Sequence, residues 1–108
     1  MVVTRRDLPI SYQSVQAAHA AIDFQHAYPH EAKQWHQSSN YLIFLTVENE
    51  DELKQLILKS AERCIKITPF REPDIDNELT ALALQPCEAT RKLTSSLPLL
   101  RNKEKSCT

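Results

Sequence analysis

Residues 11–28, SYQSVQAAHAAIDFQHAY, carry two apolar rows at helical spacing, and a helix built this way restricts the chain to folds that press it against a sheet. Val15, Ala18 and Ile22 form one row, and Ala17, Ala21, Phe24 and Tyr28 form the other. Together they are too wide for a helix lying loosely on a domain. The rows predict that Ile22 and Phe24 are buried and that Gln13 and Gln25 are largely exposed. Ser11 or Ser14 can cap the start, while Pro29 stops this helix and suits the first turn of another. Gln16 and His19, three apart, share a face. A polar pair on a largely buried helix is the first hint of a site.

A chain of 108 residues supports one hydrophobic core, here expected over residues 1–100, with a flexible tail over 101–108. The tail carries three basic residues and no apolar pattern. Hydrophobic content of 42% and charged content of 25% are ordinary for a soluble domain, and no apolar run approaches the ~20 residues a membrane helix needs. Arg5 and Arg6 are followed by Asp7 and Pro9 rather than an apolar segment, so no signal peptide is read and the expected location is the cytoplasm. Cys64, Cys87 and Cys107 lack C-x-x-C spacing, which fits reduced thiols and indicates no metal site. A net charge of −1 confines any nucleic-acid contact to a local patch. The chain has no glycine, which excludes glycine-rich phosphate loops and indicates no nucleotide cofactor. Its turns must fall to Asn, Asp and Pro.

Met1 to Arg5 read as a first strand through Val2, Val3 and Thr4. After the central helix, Pro29–Gln37 predicts a short second helix with Ala32 and Trp35 facing inward. Residues 41–47, YLIFLTV, are nearly continuous apolar sequence and predict a central strand covered on both faces. Asn49 and Glu52 form a capping-box pattern for a helix over 50–63, with Leu53, Leu56, Ile57, Ser60 and Ala61 on one face. Ile65 and Ile67 alternate with Lys66 and Thr68 in a third strand near an edge, ended by Pro69. Residues 70–78, FREPDIDNE, form a polar connection; 79–85, LTALALQ, a fourth strand; and 88–93 a short helix. The order predicts a single α/β domain with a mixed four-stranded sheet flanked by helices on both faces.

In an open α/β sheet, reactive groups collect outside the carboxyl ends of parallel strands. That selects Arg6 and Asp7 after strand one, Gln16 and His19 on the helix, and Arg71, Glu72 and Asp74 after strand three, all expected around one cleft. Thr80, alone between apolar neighbours, either bonds a neighbouring backbone group or projects into that cleft. Solvated ion pairs account equally well for Arg6 with Asp7 and for Arg71 with Glu72 and Asp74. No serine lies in a nucleophile-elbow context, which removes the Ser-His-Asp reading.

Arg5-Arg6-Asp7, Gln16-Ala17-Ala18-His19-Ala20, Trp35, the acidic helix start at Glu50, Asp51 and Glu52, and the late run Thr80-Ala81-Leu82-Ala83-Leu84-Gln85-Pro86 together resemble the peptidyl-tRNA hydrolase II family in order and spacing. The resemblance implies a compact mixed-sheet α/β domain, often a homodimer, that hydrolyses the ester joining a peptide to the terminal ribose of tRNA. Asp7, Gln16, His19 and Thr80 carry over by position. The family's glycine- and lysine-rich turn is replaced here by Leu8-Pro9-Ile10-Ser11-Tyr12-Gln13, and its Asp-Ala-Gly turn by Thr68-Pro69-Phe70-Arg71-Glu72-Pro73-Asp74. The expected catalytic set is therefore Asp7, His19, Glu72, Asp74 and Thr80, with Arg6, Gln16 and Arg71 binding tRNA. The alternative is an inactive domain of the same fold that binds RNA or protein.

Overall fold

The computed structural model describes residues 1–100. The tail expected over 101–108 lies outside them. Four strands, β1 (Val2–Arg5), β2 (Phe44–Val47), β3 (Ile67–Glu72) and β4 (Glu78–Leu84), form one sheet in the order β2-β1-β4-β3. Helices α1 (Ile10–Ala27) and α2 (Pro29–Gln37) link β1 to β2, α3 (Glu50–Glu62) links β2 to β3, and α4 (Glu88–Thr94) follows β4. β1 is parallel to β2 and antiparallel to β4, and β4 is antiparallel to β3. Hence β1, β2 and β3 all point the same way and end at one edge of the sheet.

Both faces are covered, because successive side chains of β1 and β4 point to opposite faces and are apolar on each. Val3, Leu82 and Leu84 face Leu53, Leu56 and Ile65 in the larger core, beneath α3. Val2, Ala81 and Ala83 face Ala17, Ala20 and Phe24 in the smaller one, beneath α1. Alanine stands on both sides of this second contact, which lets α1 lie close to the sheet.

α1 buries one stripe rather than two. Gln13, Gln16, Ala17, Ala20 and Phe24 point inward, whereas Val15 is 53% and Ile22 55% exposed. The expectation for Phe24 and Gln25 agrees with the structure; those for Ile22 and Gln13 are reversed. The buried stripe passes through two glutamines whose amides are fully engaged, so apolar spacing alone picked the wrong row. Neither Ser11 nor Ser14 caps the helix: its N-cap is Pro9, and the Ser14 hydroxyl donates to the Ile10 carbonyl inside the first turns.

The strand around YLIFLTV is also shorter and differently placed. Tyr41 and Leu42 are 74% and 58% exposed, and β2 is an edge strand, not a central one. Its free edge is blunted by the segment after α4, where Thr46 N–H donates to the Pro98 carbonyl and Leu100 N–H to that of Phe44, both near 3 Å. Pro69 does not end β3. It sits inside that edge strand, where its missing N–H can face away from the ladder. A single 3₁₀ turn, Pro73–Ile75, then leads into β4, so the polar connection is shorter than the sequence indicates.

Without glycine, the positive-φ positions among the described residues fall on Asn40, Asp76, Asn77 and Cys64. The first three are the residue types that tolerate this region. Cys64 is held there because α3 ends in a Schellman motif, with Ile65 N–H donating to Ser60 and Cys64 N–H to Ala61 at 3.0 and 3.2 Å. At the other end Asn49 accepts from Glu52 N–H, and the Glu52 carboxylate reaches back to Glu48 N–H. Leu82→Ala should cost about 2–5 kcal/mol by urea unfolding. Ile22→Ala, on the exposed row, should stay within about 0.5 kcal/mol of the parent.

Candidate functional site

The carboxyl ends of β1 and β3, with the first half of α1, gather a hydrogen-bonded cluster around Gln16. That side chain is fully buried, so both halves of its amide need partners. The Thr80 hydroxyl donates to Gln16 Oε1 at 2.6 Å, and Gln16 Nε2 donates to Glu72 Oε1 at 3.0 Å. Thr80 is aimed there by a β-bulge. Phe70 pairs with Ala81 and Arg71 with Leu79, leaving Thr80 between them as the extra residue. Its hydroxyl also lies 3.3 Å from the Phe70 carbonyl.

Glu72 stands where β3 meets the 3₁₀ turn. Its second oxygen accepts weakly from Asp74 N–H at 3.4 Å. The Gln16 hydrogen bond, followed by Asp74 N–H, the charge of His19 and the phenol of Tyr12, holds this carboxyl below its ordinary range against the opposing effect of desolvation. His19 is exposed and lies flat on Phe70, ring centroids 4.5 Å apart and planes 3° from parallel. The site is a shallow shelf: a buried Gln16–Thr80 floor, the Glu72 carboxylate at its edge and the His19–Phe70 stack beside it.

The other candidates separate. Asp7 is clamped by Arg5, which reaches it through Nε at 3.0 Å and Nη2 at 2.8 Å. Arg5 is itself 7% exposed and also binds Glu78 at 2.7 Å and the Leu79 carbonyl at 3.1 Å. These bonds raise the guanidinium further above its ordinary value and keep it charged. Arg6 turns away toward Glu48 at 2.9 Å. Arg71 is exposed and donates to the Asn77 carbonyl at 3.3 Å. Asp74 enters through its backbone N–H, and its carboxylate is exposed.

Three groups at this edge were missed by the sequence reading. Arg5, rather than Arg6, organises the charges, because Arg5 is the last, buried residue of β1 while Arg6 already lies in the turn that follows. Gln13 accepts from the Thr4 hydroxyl at 2.8 Å and donates to the Leu8 carbonyl at 2.6 Å, tying α1 to the end of β1. Tyr12 stands one turn before Gln16; that i, i+4 spacing was the available signal. A separate apolar hollow, lined by Phe24, Ala32, Trp35, Leu42 and Leu84 among others, lies at the opposite end of the sheet. There Trp35, only half-buried, holds the following loop by donating to the Tyr41 carbonyl at 2.6 Å.

Residues 1–100, the whole of this fold, match the family model described as Peptidyl-tRNA hydrolase PTH2. The chain belongs to that family. No curated protein matches this PTH2 sequence significantly. The mixed α/β sheet and the order of the motifs agree with the family assignment. Among the described residues of this PTH2 domain, no helix is long and apolar enough to cross a membrane.

The lowered carboxyl of Glu72 fixes the sign of its pH dependence. A group stabilised in its charged form contributes to stability above its unfolded pKa, and that contribution is lost as pH falls through the folded value. Glu72→Gln should therefore flatten the acid limb of a stability-versus-pH curve, measured by thermal melts between neutral pH and pH 3, relative to the parent.

Proposed function

We propose that this PTH2-family chain hydrolyses the ester of peptidyl-tRNA or a related N-blocked aminoacyl-tRNA at the Gln16–Glu72–Thr80 shelf. The observation that carries this reading is the convergence of a charged carboxylate, a buried amide that orients it and an exposed histidine at the common end of β1 and β3. Ester hydrolysis needs an activated water, a partner for the developing oxyanion and positive charge for the tRNA phosphates. Glu72 takes a proton from water as its oxygen attacks the ester carbonyl. Collapse of the tetrahedral intermediate breaks the carbonyl–ribose bond, and His19, exposed beside Glu72, supplies a proton to the departing ribose oxygen. Proton return from Glu72 to His19 through solvent restores the starting state.

Thr80 and Gln16 act beneath the reaction in this scheme, since their hydrogen bonds are already committed to each other and to Glu72. Arg71 supplies charge toward a phosphate, its guanidinium being exposed and held by one carbonyl. Asp7, clamped by Arg5, shapes the site rather than reacting, and Arg6 and Asp74 are secondary. The same reading carries a cytoplasmic homodimer, for which sedimentation equilibrium of the purified chain should return twice the monomer mass. A second reading, a domain that binds RNA without cleaving it, is favoured by the same full engagement of Gln16 and Thr80.

Release of free tRNA from N-acetyl-aminoacyl-tRNA decides between them. The purified chain should accelerate release over buffer alone, and Glu72→Gln should lose about 10²–10⁴ of that rate with its melt retained. Asp74→Asn should remain close to the parent. Arg71→Ala should weaken binding and reduce its salt dependence. No release by the parent, with tRNA still bound, establishes the binding reading instead.

A further inference from the structure

We propose that His19 and Phe70 form a stacking platform for the terminal base of the tRNA: the base lies on the outer face of the His19 ring, and Phe70 backs that ring from beneath. The proposal rests on the reading of this shelf as a peptidyl-tRNA site and names the part of the substrate that the shelf grips.

The platform is built before any ligand arrives, because α1 and β3 are laced together at successive steps. Gln16 Nε2 donates to Glu72 Oε1 at 3.0 Å, the His19 and Phe70 rings stack at 4.5 Å with planes 3° from parallel, and the Thr68 hydroxyl donates to the Ala20 carbonyl at 3.0 Å. The stack is thus flanked on each side by a hydrogen bond joining the same helix to the same strand. Phe70 is half-buried and packs against the alanine-rich core under α1, which holds its ring in place. His19 is exposed. A ring covered on one face by Phe70 and still exposed presents its other face to solvent. A pair serving the core alone would bury both rings; this one leaves the imidazole outside.

Unpaired RNA bases stack on Phe, Tyr, Trp and His, and a platform of fixed geometry gives up little freedom on binding. Phe70 and Glu72 are two residues apart on β3, roughly 7 Å along the strand, so a ligand lying on the stack is one short step from the carboxylate. The proposed substrate carries a flat group at that remove: the base attached to the ribose whose ester is cleaved. That base is an adenine in every tRNA, whereas the peptide varies, and a rigid platform suits the constant partner. The two uses of His19 do not compete. Stacking takes the face of the imidazole, while proton transfer to the ribose oxygen takes a nitrogen at its edge.

The test compares binding of the intact chain to uncharged tRNA and to the same tRNA with an abasic ribose at its 3′ end. The parent should bind the intact tRNA about 5- to 150-fold more tightly, the factor that stacking one base supplies. With the histidine rings isotopically labelled, the His19 ring C–H signals should move upfield on adding intact tRNA and stay put with the abasic one. His19→Ala, its melt retained, should bring the affinity ratio close to one, whereas His19→Phe, which keeps an aromatic face, should preserve it. Phe70→Leu, apolar and of similar bulk, should lower the ratio through His19. A parent ratio near one, a ratio unchanged in His19→Ala, or unmoved His19 signals overturns the proposal. In the N-acetyl-aminoacyl-tRNA assay, His19→Phe should lower kcat with KM little changed, and His19→Ala should also raise KM. An active parent that binds both tRNAs equally overturns the stacking role and leaves the hydrolase reading standing. An inactive parent that still discriminates between them overturns the hydrolase reading and leaves the platform standing.

Discussion

The close seat of α1 on β4 is the contact on which the polar end of this molecule depends. Ala17 and Ala20 on the helix meet Ala81 and Ala83 on the strand, all nearly or fully buried. Small side chains on both sides reduce the distance between backbones, and that distance lets a glutamine on the helix reach a threonine on the sheet at 2.6 Å. Gln16 buries a whole amide to do so, a cost that only full pairing offsets. Larger residues in the alanine contact would lift α1 and leave that amide unpaired before they disturbed the leucine-rich core on the other face.

The second constraint is the direction of the strands. β4 runs against both of its neighbours, so β1 and β3, far apart in sequence, finish at the same edge. Arg5 from one and Glu72 from the other are brought to that edge by topology alone. Arg5 draws Asp7 and Glu78 into one ion-paired group. Gln16 draws Glu72 and Thr80 into another. The bulge at Thr80 lets β4 serve both faces: Leu79 lies in the larger core while the next side chain turns to α1. Chemistry and apolar space are separated by this arrangement, since the hollow beside Trp35 lies at the far end of the same sheet.

The site's electrostatics follow from exposure. Arg5 is sequestered, so its ion pairs act in a less watery setting and fix geometry. Arg71 and His19 are exposed, so charge on them is screened by solvent yet accessible to a ligand. Glu72 lies between these regimes, with its inner oxygen paired to a buried amide and its outer one near a loop. That intermediate position makes it the group most open to control by its neighbours.

The sequence by itself determined the number and order of the elements, the Asn49 cap, the second helix from Pro29 to Gln37, the two-sided α/β architecture and the family, because these depend on local periodicity, turn chemistry and the linear order of motifs. It also placed the glycine-free turns on Asn and Asp, apart from Cys64. Only the tertiary structure decided which row of α1 is buried, because a glutamine buries only where both halves of its amide find partners: those of Gln16 lie on β4 and β3, more than fifty residues away, and those of Gln13 at the end of β1 and the turn after it. The strand order was equally out of reach: nothing local in YLIFLTV reveals that β4, not β2, occupies the centre beside β1. The identity of the organising arginine waited on the same information. Arg5 and Arg6 are adjacent and chemically alike, yet Arg5, at the end of β1, meets Asp7 and Glu78, while Arg6, in the turn that follows, meets Glu48.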